Sequence, residues 1–95
     1  MFTVGQELTQ HNAMQVIAAG KAAILAGECE FDFSGLSQLD SSAVAAMIAW
    51  QRDLLVKSQQ ITCLHVPAGL DSLIRLYGLS AQFVTHTSVH TPERH

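Results

Sequence analysis

Glu28-Cys29-Glu30-Phe31-Asp32-Phe33-Ser34-Gly35-Leu36-Ser37-Gln38-Leu39-Asp40-Ser41-Ser42-Ala43-Val44 is the stretch that decides the fold of this 95-residue chain. Residues 28–33 alternate strictly, so an extended segment puts Cys29, Phe31 and Phe33 on one face and Glu28, Glu30 and Asp32 on the other. Such a strand is buried on one side only. The turn over residues 34–39 leads to Asp40-Ser41-Ser42, which opens the longest helical stretch, about residues 43–57. Its core face is predicted to be Val44, Met47, Ile48 and Leu54 or Leu55. The alanines at 43, 45, 46 and 49 let neighbours approach it closely.

Working outward, residues 2–8 carry β-branched and aromatic side chains around Gly5 and read as a short first strand. Thr9 is placed to cap a helix whose apolar positions Ala13, Met14, Ile17, Ile24 and Leu25 recur at helical spacing, and Gly27 ends it. On the other side, residues 61–66 are β-prone and stop at Pro67, which has no N–H to give a ladder. Leu70, Leu73, Ile74 and Tyr77 mark a short amphipathic helix. Gly78 followed by Leu79 matches a left-handed C-terminal cap with its hydrophobic contact, and residues 82–85 can add a strand. Strands at 28–33 and 61–66 joined by a whole helix should be parallel through a right-handed crossover. The class is α/β. The acidic outer face of the 28–33 strand predicts that the main helices lie on one side of the sheet.

Composition bounds the function. The chain is long enough for one domain, and residues 1–88 are assigned to it, with residues 89–95 read as a flexible tail. Its longest apolar run, residues 43–50, is far short of the roughly 20 residues that span a bilayer, and no signal peptide or lipidation motif is seen, which predicts a soluble, cytoplasmic chain with no direct membrane insertion. Five basic residues are scattered against eight acids for a net charge of -3, so nucleic acid is not expected as a partner. Charged residues make up only 14%, and the surface built instead from Gln, Ser, Thr, His and Ala is easily covered by a partner or by weak self-association. Cys29 and Cys63 lack CxxC spacing and fit small buried hydrophobes in a reducing compartment.

The start of the long helix carries the most chemistry. A helix N-terminus offers unpaired N–H groups and a positive dipole end, so Asp40, Ser41 or Ser42 can simply cap it, with Ser41 expected to cap and to be at least partly exposed. Alternatively one serine is an exposed phosphoacceptor. His86 and His90 have i, i+4 spacing and His95 follows, but Thr85, Thr87, Val89 and Pro92 oppose a helix there, so no metal site is assigned. His65 reads as a structural histidine, Met14 and Met47 as core, and Glu28, Glu30 and Asp32 as a solvated strand face. No paired-carboxylate site, glycine-rich phosphate loop or nucleophile with a spaced base is seen, so no cofactor or catalytic residue is assigned.

Residues 32–47, Asp-Phe-Ser-Gly-Leu-Ser-Gln-Leu-Asp-Ser-Ser-Ala-Val-Ala-Ala-Met, resemble the signature of STAS domains, the sulfate transporter and anti-sigma-factor antagonist family. Ala49-Trp50-Gln51-Arg52, Val66-Pro67 and Leu73-Ile74-Arg75-Leu76-Tyr77-Gly78-Leu79 are similar to its MlaB branch, the small cytoplasmic subunit of a bacterial phospholipid-trafficking ABC transporter. The resemblance covers most of the chain. It implies a mixed sheet of four to five strands, no catalytic apparatus, and an adaptor that binds and regulates an ABC-transporter ATPase. Ser41 takes the place of the family's phosphorylatable or otherwise functional Ser or Thr, and Asp40, Ser41, Ser42 and Ala45 are the implied partner-binding residues. Ala43 stands where the family often has Gly, whose missing side chain lets a kinase or partner backbone come close. Within the fold the rival is an anti-sigma-factor antagonist whose Ser41 is the substrate of a partner serine kinase. From another class the rival is a small nucleotide-binding or phosphotransfer protein.

Overall fold

The computed structural model describes residues 1–87, with side chains through residue 83. Strands β1 (Phe2–Thr3), β2 (Glu7–Leu8), β3 (Glu30–Asp32), β4 (Gln38–Leu39), β5 (Thr62–Val66) and β6 (Val84–Thr87) alternate with helices α1 (Ala13–Leu25), α2 (Ser41–Val56) and α3 (Ala68–Leu76). Four strands form a sheet in the order β1, β3, β5, β6, and β2 pairs with β4 separately. Every described pairing is parallel, where the family resemblance implied a mixed sheet. The α/β class stands, and the expected parallel relation of the two central strands is found as Phe31 opposite Cys63. The expected first strand is divided at Gly5 into β1 and β2, which belong to different sheets.

The alternation at residues 28–33 does what its pattern requires. Phe31 and Phe33 are fully buried, Glu30 is exposed and Asp32 half-buried. The buried face shares one core with all three helices, through Ile24 of α1, Met47, Trp50 and Leu54 of α2, and Leu70 and Ile74 of α3. The opposite face shows Glu30, Asp32, Thr62, Leu64 and His65, none of them buried. In β5 the alternation is broken by a bulge: His65 has φ of 56° and the register to β6 shifts between Leu64 and Val66. The extra residue sends His65 to solvent and returns Val66 to the core.

Trp50 is the centre of the core. Its ring lies 4.6 Å from that of Phe31 and 6.0 Å from that of Phe2, and its Nε1–H donates to the Ile17 carbonyl of α1 at 3.1 Å. The indole fits because α1 has no side chain at residue 20: a Cβ on Gly20 would lie 2.3 Å from Trp50 Nε1. The face of α1 turned inward is therefore Ala13, Ile17, Gly20 and Ile24, at the 4-3-4 spacing of a helix stripe. Met14 and Leu25, expected in the core, lie past that stripe and are 86% and 85% exposed.

On α2 the inward residues are Ala43, Val44, Ala46, Met47, Trp50, Gln51 and Leu54. Ile48, expected among them, instead faces outward, and of the alternatives Leu54 and Leu55 it is Leu54 that turns inward, because seating Trp50 against Gly20 and Phe31 fixes the rotation of the helix. The helix also starts earlier than expected, at Ser41. Asn12, not Thr9, holds the cap position of α1, while the Thr9 carbonyl accepts from the Ala13 N–H at 2.9 Å. Cys63 is buried, and burial pushes its thiol up to about 12, whereas Cys29 is only half-buried. Gly78 has φ of +70°, and the Leu79 N–H returns to the Ile74 carbonyl at 2.9 Å, the expected left-handed cap of α3. Tyr77, expected in the core with Leu70 and Ile74, is half-exposed beside that cap. His86 lies in β6; His90, His95 and the 89–95 tail lie outside the described residues.

The Gly20–Trp50 contact predicts opposite outcomes at two helical glycines. Gly20→Ala should destabilise by about 1–3 kcal/mol, overpacking outweighing the better helix propensity. Gly69→Ala, with open space around the new Cβ, should stabilise by about 0.5–1 kcal/mol. Urea unfolding of both variants checks this, and stabilisation by Gly20→Ala would contradict the packing described.

Candidate functional site

The small β2–β4 pair builds the site. Its register sets Glu7 opposite Gln38 and Leu8 opposite Leu39, so both strands end at the same level. The chain then leaves β2 into Thr9-Gln10 and leaves β4 directly into Asp40. Asp40 is the N-cap of α2, with its Oδ1 accepting the Ser42 N–H at 2.8 Å. Its Oδ2 accepts the Gln10 N–H at 3.1 Å. One carboxylate thus ties the start of α2 to the loop before α1. The Gln10 N–H and then the Ser42 N–H hold its carboxyl below the ordinary value of 3.8. Both oxygens are engaged by backbone, so Asp40 is a clamp and not a free base.

The cap is Asp40 where Ser41 was expected to cap. Ser41 is the first residue of α2 and is exposed, as expected; Ser42 is half-buried and Ala45 exposed. Ala43 is fully buried, so its methyl group is turned into the core and leaves the approach to Ser41 open. Ser41 and Ala45 line a depression of about 270 Å³ whose other walls are Val44, Ile48, Tyr77 and Leu79. Ile48 and Leu79 also line a second depression of about 210 Å³ that extends to Arg52, Leu55 and Phe83. The two make one shallow groove between the outer face of α2 and the segment after α3.

Reading the sequence for a core missed most of this groove. Ile48 and Tyr77 were assigned inward, Leu55 was an alternative to Leu54 for the core face, and Arg52 was given no role. A signal was present: residues 41, 45, 48, 52 and 55 recur at alternating spacings of four and three, a second stripe beside the one that holds Met47, Trp50 and Leu54. Gln51, buried between the stripes, is satisfied at both ends. Its Nε2 donates to the Gln82 carbonyl at 2.6 Å, and its Oε1 accepts the Ile61 N–H at 2.9 Å.

Elsewhere, a depression of about 400 Å³ lies between the C-terminal ends of α1 and α2 and contains none of the candidate site residues Asp40, Ser41, Ser42 and Ala45. Its lysines are occupied, Lys21 Nζ by Asp53 Oδ2 at 3.1 Å and Lys57 Nζ by the Ile24 carbonyl at 2.8 Å. On the uncovered sheet face, His65 Nδ1 lies 3.0 Å from Asp32 Oδ1, and the Ser34 hydroxyl donates to Asp32 Oδ2 at 3.0 Å. Desolvation pushes the Asp32 carboxyl up, but these bonds outweigh it and hold it below its ordinary value. Among the described residues, no three His, Cys, Asp or Glu side chains cluster as metal ligands, and no helix is long and apolar enough to cross a membrane.

A parallel sheet backed by helices on one face, with an exposed serine after an aspartate cap at a helix start, defines a small α/β module of the STAS type. The chain belongs to the STAS domain family: the family model described as "Mlab, STAS domain" matches residues 2–85. Among solved structures it is similar to "Structure of the Anti-Sigma Factor Antagonist SpoIIAA in its Unphosphorylated Form", with a TM-score of 0.69 and 23% identity over 90% of this chain and 76% of that one. That likeness establishes the fold. No curated protein matches the chain.

The clamp predicts an acid limb. Carboxyls held below their ordinary value contribute stability that is fully present well above pH 3.8 and is lost as pH falls through the lower folded-state value. Thermal melts from neutral to acid pH should therefore show a fall in Tm that is shallower in Asp40→Ala. At neutral pH Asp40→Asn, which can keep one of the two bonds, should lie between wild type and Asp40→Ala. Identical pH profiles for wild type and Asp40→Ala would remove the clamp from the account.

Proposed function

We propose that this chain is a non-catalytic cytoplasmic adaptor that binds and regulates the ATPase subunit of a bacterial phospholipid-trafficking, Mla-type ABC transporter, with Ser41 as its control point. The observation that carries the reading is the exposed Ser41 hydroxyl at the head of an apolar groove, next to an aspartate whose two oxygens are already bound. A surface of this kind recognises and is switched; it supplies no free acid or base for turnover. The match to the MlaB-type family model supports the choice of partner. Docking would involve Asp40, Ser41, Ser42 and Ala45. A phosphate on Ser41 would add roughly two negative charges beside Asp40 at the edge of an apolar surface, and desolvating them against a partner is costly.

The second reading, an anti-sigma-factor antagonist whose Ser41 is phosphorylated by a partner serine kinase, is favoured by the same exposed hydroxyl. The buried methyl of Ala43 supports it as well, since nothing on that residue obstructs a kinase. The identity of the protein that co-purifies with the chain separates the two.

Ser41→Asp and Ser41→Ala test the control point in either case. Both should fold, as the cap is Asp40 and Ser41 is exposed. Titrated against the co-purified partner, Ser41→Asp should bind roughly tenfold more weakly than wild type, about 1.4 kcal/mol, and Ser41→Ala should lose less. Equal affinity of Ser41→Asp and wild type would place docking elsewhere and leave Ser41 as an ordinary first residue of a helix.

A further inference from the structure

Resting on that docking reading, we infer that the groove running from Ser41 to Leu55 receives a single amphipathic helix of the partner, which sets an acidic side chain against Arg52. The groove has the dimensions of a helix site. Its wall on α2 is the stripe Ser41, Ala45, Ile48, Arg52 and Leu55, about 21 Å long at 1.5 Å per residue, which matches about four turns of a partner helix. The opposite wall is Tyr77, Leu79 and the segment through Gln82, and the floor is the buried Val44 and Phe83. Beside this floor the Gln51 side chain offers no free hydrogen-bonding group, since its two ends are used by Ile61 and Gln82. Apolar anchors at i, i+3, i+4 and i+7 of a helix fit such a surface; a β-strand needs an open sheet edge, and none of the described lining residues lies in a strand.

Charge selects the occupant further. Arg52 is the one charged residue lining either depression. Among the described residues it makes no ion pair: the acids Glu28, Asp32, Asp53 and Asp71 pair with the N-terminus, His65, Lys21 and Arg75. The helix positions four residues before and after it are Ile48 and Val56, so α2 supplies no acid at that spacing. An unpaired guanidinium above an apolar groove, in a chain of net charge -3, is complementary to an acidic side chain on an otherwise apolar helix.

The test is photo-crosslinking within the complex of the full chain and its co-purified partner. A benzophenone amino acid replaces Ala45, Ile48 or Leu55 in turn, and the adducts are mapped on the partner. They should fall on one segment at spacings of three, four and seven residues, with an Asp or Glu on the same face. Arg52→Glu should then weaken binding by about tenfold or more, Arg52→Lys should lose much less, and changing the mapped partner acid to Lys should restore binding to Arg52→Glu. Thermal melts confirm that these exposed-site variants fold. Adducts scattered over several segments, a basic mapped segment, or wild-type affinity of Arg52→Glu while Ser41→Asp is weakened would overturn the helix inference and leave the docking reading intact. Loss of effect for Ser41→Asp together with no adducts at any of the three positions would overturn both.

Discussion

The seating of the Trp50 indole in the gap left by Gly20 governs the rest of the structure. It brings α1 against α2, pins the indole N–H on the Ile17 carbonyl, and lays the ring on Phe31 at the middle of the sheet. A helix whose residues are largely Ala, Val, Ile, Met and Leu could bury several faces, and this contact chooses one. Once Trp50, Met47 and Leu54 point inward, the geometry of 3.6 residues per turn sends Ser41, Ala45, Ile48, Arg52 and Leu55 outward. The candidate docking surface is thus set by the core directly beneath it.

A second constraint holds the end of that surface. Asp40 joins the first turn of α2 to Gln10, and the β2–β4 pair brings the two segments to the same level. Gln51 fastens the other half of the helix to Ile61 and Gln82, a buried polar group satisfied at both ends. Side chains held by a rigid helix tied at several points present a preformed shape, so a partner pays little ordering entropy on that side. On the proposed docking reading, that rigidity is what the groove would offer a partner.

Much of this was legible in the residues. The alternation at 28–33 gave the central strand and its buried face, the intervening helix gave the parallel relation to 61–66, and Gly78-Leu79 gave the cap of α3. Ser41 stood out through the resemblance of residues 32–47 to the STAS signature, since spacing alone left Asp40, Ser41 and Ser42 as alternative caps. Helix rotation was not legible. Residues 13–25 contain only Gln15 and Lys21 as polar markers, so periodicity placed Met14 and Leu25 inward with no penalty, and the decisive fact was a missing side chain at Gly20. The same ambiguity hid the groove, since Ile48 and Leu55 look like core in any hydropathy count. The bulge at His65 was also invisible, because a left-handed histidine in a strand carries no local sequence mark. Its cause is tertiary: Val66 must reach the core before Pro67 caps α3.

The central claim is that recognition takes place on the outer face of α2 and not on the uncovered face of the sheet. Hydrogen–deuterium exchange of the free chain and of its complex with the co-purified partner tests it most directly. The account predicts added protection in peptides spanning residues 41–55 and 77–82, with residues 30–34 and 62–66 unchanged. Protection concentrated on residues 30–34 and 62–66, with residues 41–55 unchanged, would contradict it.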